Sequence, residues 1–440
     1  MDSRHSLSYN WHTAGLGRAE MLRLRRVRRI VLSDDAAKSR VDERSQKLFG
    51  KDFTLVCLAS LTLFGGFYFL LPTLPLYVKS LGGQDAEVGA VLGVFTVSAV
   101  ATRLLVGQAL DVWGRKRFYV TGALLYVLAV LLYNTTMSVP SLLLLRLFHG
   151  IGWGVATTAA STLAADLAPP RRRAEAMGYY GNFINVAMAL APSLGLWLLV
   201  ATALPLQGFP LVFASTGALG ALAALVALLV GETRGRGGPD ASLPRKLDIG
   251  GLFNRNAVPV STAMFLMTFT YGAAVTFLPL YVATENPQNI GVFYFVYAAV
   301  VVVSRPFAGV LADRVGRRKV AIPAMALSAL GISILALSPS LQIVLASALI
   351  YGLGFGALYP SLLALAVDIV KPAERGAALG TFMAAFDSGI AVGSMALGLV
   401  AQMAGYGSVF ILAGCVGVLG LVYFVAYPWF SGRIQAEPTP

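Results

Sequence analysis

Apolar stretches of about 20 residues, rarely interrupted by charge, follow one another from residue 53 to residue 430. That length matches the ~30 Å hydrocarbon core of a bilayer, crossed by an α-helix at about 1.5 Å per residue. A membrane barrel would be written as ~10-residue segments of alternating polarity, and the sequence has none. Turn residues and charges mark helix ends, giving spans near 53–78, 87–110, 118–135, 140–166, 174–201 and 209–230. A break rich in Gly, Pro and charge follows, "GETRGRGGPDASLPRKLDIGGLFNR". Six more spans are predicted near 257–283, 290–310, 319–336, 341–366, 375–403 and 408–430. The expectation is an all-α integral membrane protein of twelve transmembrane helices in two parallel six-helix repeats. Its parts are a polar basic tail (1–51), an N-terminal six-helix bundle (52–231), a linker loop (232–255), a C-terminal six-helix bundle (256–430) and a C-terminal tail (431–440).

Composition agrees with this pattern. The 440 residues are 57% hydrophobic and 12% charged, against roughly 25% charged in a soluble domain. The net charge of +13 acts as an orientation signal. Beyond residue 52, 18 Lys and Arg fall on the loops and tail of one side and only Lys79 on the other, with Arg103, Arg146 and Arg305 inside spans. The positive-inside rule then places both termini in the cytoplasm, as expected of a multi-pass protein of the cell membrane, and a nucleic-acid partner gains nothing from the basic balance. The first 50 residues contain "RLRRVRR" and read as a disordered tail or a short basic amphipathic helix on the inner leaflet. Without an apolar core they are not a cleavable signal peptide. Cys57 and Cys415, alone in separate spans, suggest neither a disulfide framework nor a metal site.

The two sets of spans are copies. Arg103, Gly107, Asp111, Gly114 and Arg115 recur 202 residues later as Arg305, Gly309, Asp313, Gly316 and Arg317. Gly150, Gly152 and Gly154 recur as Gly352, Gly354 and Gly356, and Asp166 as Asp368. "LPLYV" at Leu74 returns at Leu278. Six helices separate the copies, so both face the same way, related by an axis along the membrane normal.

The phrases "GQALDVWGRKR" (107–117) and "GVLADRVGRRK" (309–319) resemble the signature of the major facilitator superfamily, G-x-L-x-D-R-x-G-R-[KR]. The first copy departs from it at Val112. The resemblance, covering about residues 52–430, implies a transporter working by alternating access, closest to bacterial drug:proton antiporters and sugar-efflux permeases. It implies that the first phrase latches the second span to the eleventh, Asp111 facing a helix N-terminus and Arg115 lying within reach of it. Gly107 and Gly309 would let a neighbouring helix approach closely.

Charge inside a membrane is costly, so each such residue is a candidate for function. Asp387 is the only carboxylate well inside a span, and its counterpart one repeat earlier is Asn185. Desolvation suits Asp387 to carrying a proton, unless a cation such as Arg103 holds it in a structural pair. Arg146 and His149 share a face of the fourth span, in a stretch resembling the family's proton-linked motif; the bland reading makes Arg146 a clamp between the first and fourth spans and His149 a packing residue. "LAPSLGLW" keeps Pro192 and Gly195 of the exporters' Gly-rich fifth-span stretch but has Ala191 and Leu196 in place of glycines. A kink is expected at Pro192. The family's architecture suggests Tyr68, Asn182, Asn185, Tyr271, Tyr351, Phe355 and Tyr359 as cavity lining.

The resulting expectation is a proton-coupled exporter of a small amphipathic or lipophilic solute, monomeric and free of cofactors. The alternatives are an importer or facilitator of a sugar or organic anion, and a membrane sensor or enzyme. No paired carboxylates, His cluster or nucleotide-binding loop supports the last.

Overall fold

A computed structural model describes residues 49–169, 172–200, 208–233, 254–285, 290–371 and 374–427. The predicted tail helix and most of the central linker lie outside these residues. The described chain is helical: α1 Lys51–Ser80, α2 Asp85–Trp113, α3 Arg115–Leu132, α4 Val139–Leu167, α5 Arg173–Val200, α6 Gly208–Leu228, α7 Val258–Thr276, α8 Leu278–Ala283, α9 Ile290–Val315, α10 Arg317–Ile334, α11 Leu341–Asp368 and α12 Arg375–Ala426. Ten helices are long and apolar enough to cross a membrane. Two differences reconcile that number with twelve. The last helix carries a 50-residue apolar stretch, about 75 Å and more than two bilayer crossings, and it turns at Gly405 (φ 78°, ψ 172°). The other is α10, 18 residues long with Arg317, Arg318 and Lys319 in its first turn, too charged to score by composition. The seventh span is α7 and α8, broken at Phe277.

Single glycines join α2 to α3 and α9 to α10. Gly114 has φ +96° and Gly316 φ +100°, a backbone region that side chains with a Cβ rarely enter. The two glycines of the repeated phrase thus turn the chain back within one residue. Gly309 differs from expectation: a Cβ built on it would meet nothing within 4 Å. No helix approaches it in this conformation, so the close-packing role predicted for that position is not realised here.

The triplet Gly150, Gly152, Gly154 and its copy do pack closely, and they do so on corresponding residues. A Cβ on Gly152 would stand 2.7 Å from the backbone nitrogen of Tyr126, and one on Gly354 2.5 Å from that of Ser328, 202 residues on. Gly154 faces Ala99 and Thr102, while Gly356 faces Val301 and Ser304. Gly150 faces Phe95 and Ser98, while Gly352 faces Tyr297 and Val300. The sequence repeat is therefore a repeat of packing: α4 against α2 and α3 in one unit, α11 against α9 and α10 in the other.

The two units meet along α2 against α12 and along α5 against α9. At the end of the molecule away from the Gly114 and Gly316 turns the seam is closed. Gly398 packs on the backbone of Asp85, Gly89 on that of Ser394, and Gly93 on Met395. The amide of Gln402 donates to Gln84 (2.9 Å), and the hydroxyl of Tyr406 donates to Asp85 (2.8 Å). On the other face of the seam, Gly291 meets Leu196 at the same far end, whereas Gly178 and Gly181 of α5 have nothing within 4 Å. The close contacts across the seam are thus those at the end away from the turns.

Candidate functional site

The closed part of the α2–α12 seam ends at a charge pair. Arg103 Nη1 donates to Asp387 Oδ2 at 2.5 Å, and each side chain is about 30% exposed. Arg103 lies ten residues before the end of α2 and Asp387 twelve after the start of α12, each about 15–18 Å into the molecule. Both side chains are thus partly exposed well away from the helix ends. The pair ties one six-helix unit to the other.

Around it lie aromatic side chains from three further helices. Tyr68 of α1 is within electrostatic reach of Asp387, Tyr271, Tyr359 and Arg305. The Arg305 guanidinium sits over the Tyr359 ring, 5.7 Å from its centre. Asn182 is exposed and Asn185 half-buried on α5. Tyr351 and Phe355, expected to line the cavity, are fully buried. Phe355 stacks on Tyr271 at 5.1 Å and the hydroxyl of Tyr351 pairs with Thr270 at 3.0 Å. These two hold α11 against α7; Tyr68 and Tyr271 are buried as well, and Tyr359 is half-buried.

Arg146 is 1% and His149 0% exposed. Arg146 Nε donates to the Val91 carbonyl at 3.1 Å, and its guanidinium lies 4.1 Å from the Phe95 ring centre. Both partners are on α2, so the clamp joins α4 to α2 rather than to α1. The reason is geometric: α4 and α2 run side by side through the Gly150 and Gly154 contacts, leaving an arginine one turn away over the α2 backbone. His149 Nδ1 pairs with the Tyr133 hydroxyl at 2.7 Å, and the ring sits among Tyr126, Phe95 and Tyr133. On α5 the helix continues through Pro192. A Cβ on Gly195 would stand 2.8 Å from the Phe69 carbonyl oxygen, so this glycine sets the approach of α5 to α1.

At the turn-bearing end, charges organise each unit in the same way. Arg115 Nε pairs with Asp166 at the end of α4 (3.1 Å), and Arg317 Nε with Asp368 at the end of α11 (2.5 Å). Asp313, four residues before Arg317, is a further 3.7 Å contact. Gly107 and Asp111 lie on α2, and the surroundings of Gly107 and the side chain of Asp111 lie outside what the structure describes. The carboxylate at the N-terminus of α3 is Glu232, which accepts from the backbone N–H groups of Arg115 (3.0 Å) and Lys116 (3.2 Å). Anions are stabilised there by unpaired N–H groups and the helix dipole. Thr233 donates to Asp166 at 2.9 Å. Sequence reasoning missed Glu232 and the Asp166 pairing; the 202-residue recurrence of Asp166 alongside Arg115 was the available signal.

The two pairs differ in burial, which makes a prediction. Arg115 and Asp166 are 8% and 19% exposed, Arg317 and Asp368 31% and 49%. Removing one partner of a buried pair strands the other and costs about 3 kcal/mol, whereas exposed pairs contribute ~0–1 kcal/mol. Asp166→Asn is therefore expected to lower the thermal midpoint of the detergent-purified protein clearly, and Asp368→Asn to leave it nearly unchanged.

Comparison with known proteins agrees with this architecture. The family model described as Major Facilitator Superfamily matches residues 56–286 and again 260–439. An uncharacterized MFS-type transporter of Methanocaldococcus jannaschii is 24% identical over 399 residues, 85% of this chain and 98% of that protein. One from Burkholderia mallei is 26% identical over 379 residues, 84% and 88% of the two chains. Among solved structures, a bacterial homolog of the human lysosomal transporter Spinster, inward-facing and occupied, superposes with TM-score 0.72 at 16% identity, covering 88% of this chain and 98% of that one. The nucleoside transporter NupG gives TM-score 0.65 at 18% identity, with 87% and 100% covered. Such identities carry the fold and no substrate. With its repeated six-helix units, twice-written turn and double match to one family model, the chain belongs to the Major Facilitator Superfamily and is a membrane transporter of a small solute, not an enzyme.

Proposed function

We propose that this transporter exchanges protons for a small amphipathic solute by alternating access, and that it works as an exporter in the cell membrane. The observation that carries the reading is the Arg103–Asp387 pair, a titratable bridge between the two units at the inner limit of the closed seam. The Lys and Arg bias supports placing the turn-bearing end and both termini in the cytoplasm. On that orientation the closed end of the seam faces the outside, which supports a conformation that opens towards the cytoplasm. The bundles are taken as residues 52–231 and 256–430, rocking about the central seam, with a monomer as the working unit.

The coupling follows from elementary electrostatics. An ionised Asp387 holds Arg103 and so holds α12 to α2. Neutralising the carboxylate weakens the bridge that helps hold the outer seam shut, so the protonation state of Asp387 sets the balance between the two access states. A unit charge moving with a 100 mV potential supplies about 2.3 kcal/mol, enough to bias a conformational equilibrium about fiftyfold. Arg146 and His149, buried beside α2, support the unit that moves. The repeated turns, with Gly107, Asp111, Gly114 and Arg115 in one and Gly309, Asp313, Gly316 and Arg317 in the other, act as the latch on the cytoplasmic side.

The test uses proteoliposomes with a pH-sensitive dye inside and imposed gradients of lipophilic cations, sugars and organic acids. Proton movement opposite to a solute, absent in Asp387→Asn, is expected. Solute flux without proton movement would make the protein a facilitator and Asp387 a structural residue.

A further inference from the structure

Arg305 occupies on α9 the position that Arg103 occupies on α2, 202 residues earlier. Elsewhere this repeat is followed contact for contact: the glycine triplets meet corresponding residues, and Arg115–Asp166 recurs as Arg317–Asp368. For the central pair it is not. Arg103 has Asp387 on α12. The equivalent of Asp387 in the first unit is Asn185 on α5, the helix that α9 packs against. One of two symmetric charge pairs has been built with its carboxylate and the other without.

The environment of Arg305 shows the consequence. Its Nε is buried and has no hydrogen-bond partner. Among the described residues it makes no ion pair, and its guanidinium lies over the face of Tyr359. The hydroxyls of Tyr68, Tyr271 and Tyr297 lie within reach of its charge. Asp387 reaches Tyr68 and Tyr359 as well, so Arg305 and the Arg103–Asp387 pair have tyrosine neighbours in common. Their formal charges sum to one positive. Arg305 is ten residues from the end of α9, about 15 Å deep, where an uncompensated cation is costly and marks a ligand path.

We infer that the solute supplies the missing carboxylate: it is an organic anion with one carboxylate or sulfonate head, which pairs with Arg305, on an apolar or aromatic body that lies against Tyr359, Tyr271 and Tyr68. The planar guanidinium fork suits two parallel N–H···O bonds to such a head, and the flanking rings suit a flat body. Binding brings the site to neutrality, as Asp387 does for Arg103. This inference rests on the reading of the seam as the solute site, but not on proton coupling.

The experiment measures binding to the purified protein in detergent by isothermal titration, against a micelle blank, with three probes sharing one ring system: 2-naphthoate, 2-naphthamide and 2-naphthylmethylammonium. Wild type is expected to favour the naphthoate over the amide by about 10- to 100-fold, the usual range for a charge-assisted hydrogen bond, and to bind the amine weakest. Arg305→Gln is expected to abolish the preference and Arg305→Lys to keep part of it. Asn185→Asp places a carboxylate inside the protein and is expected to abolish it too, with an unchanged or raised thermal midpoint showing that the fold is intact. Equal binding of the three probes by wild type overturns the inference, as does an unaltered preference in Arg305→Gln and Asn185→Asp. Naphthoate preference without proton movement in vesicles would leave it standing and remove the coupling instead.

Discussion

Asp387→Asn is expected to bring proton-coupled flux down to the background of protein-free vesicles while the protein still inserts and folds. Asn keeps the size of the side chain and a hydrogen-bond acceptor for Arg103, but it cannot ionise, so the bridge no longer responds to a proton. The fold survives because Arg103 and Asp387 are each about 30% exposed. Neither side chain is fully buried and Asn still accepts a hydrogen bond from Arg103, so the loss is smaller than for a buried pair. Remaining solute flux is expected to run down its own gradient, with an equal rate whether or not a pH gradient is imposed. Coupled flux at the wild-type rate in this variant would remove Asp387 from the mechanism.

The other large effect is expected at the repeated glycines. Gly152→Val and Gly354→Val push side chains into backbone atoms: the Cβ alone would stand 2.7 Å from Tyr126 N in one unit and 2.5 Å from Ser328 N in the other. Backbone gives way only if the helices separate, and the carbonyl oxygens of Gly122 (3.1 Å) and Ala324 (2.8 Å) crowd the same two positions. Overpacking of this kind costs about 1–3 kcal/mol at least, and helices in lipid depend on close packing for their association. Both variants should fail to accumulate in the membrane as folded protein, measured by fluorescence-detected size exclusion of a tagged chain. Gly309→Val is the control, because nothing lies within 4 Å of its Cβ position. It should accumulate normally. If it also transports poorly, the face around Gly309 is one that closes in another state.

Most of the fold was legible because a membrane imposes a length on its helices. Observed helix ends lie within a few residues of those read from apolar runs, apart from α9, which runs on to Val315, and α12, where Gly405 replaces the expected loop with a single bent residue. The internal repeat was legible residue by residue, since each copy preserves glycines that only close packing or positive φ explains. The site was legible in part. Asp387, Arg103 and Arg305 stood out as intramembrane charges, and the structure brings Arg103 to Asp387 across 284 residues of sequence. That most of the expected lining is buried, and Tyr359 only half-buried, was not legible, because the rotation of α1, α7 and α11 about their axes leaves no mark in the sequence. The Arg146 clamp was assigned to the wrong neighbour for a similar reason: a guanidinium that bonds a carbonyl leaves no sequence mark on its partner. Glu232 escaped because a carboxylate just past a span reads as an ordinary loop charge until the α3 N-terminus is seen beside it.

The central claim is that the two six-helix units part at the end now closed. Gln84 and Gln402 face each other there at 2.9 Å. With Cys57 and Cys415 replaced by Ala, cysteines at positions 84 and 402 can be oxidised to a disulfide and solute uptake into proteoliposomes followed before and after reduction. Arrested flux in the cross-linked protein, restored by reduction, is the predicted result. Flux at the uncross-linked rate through the locked protein would contradict alternating access at this seam.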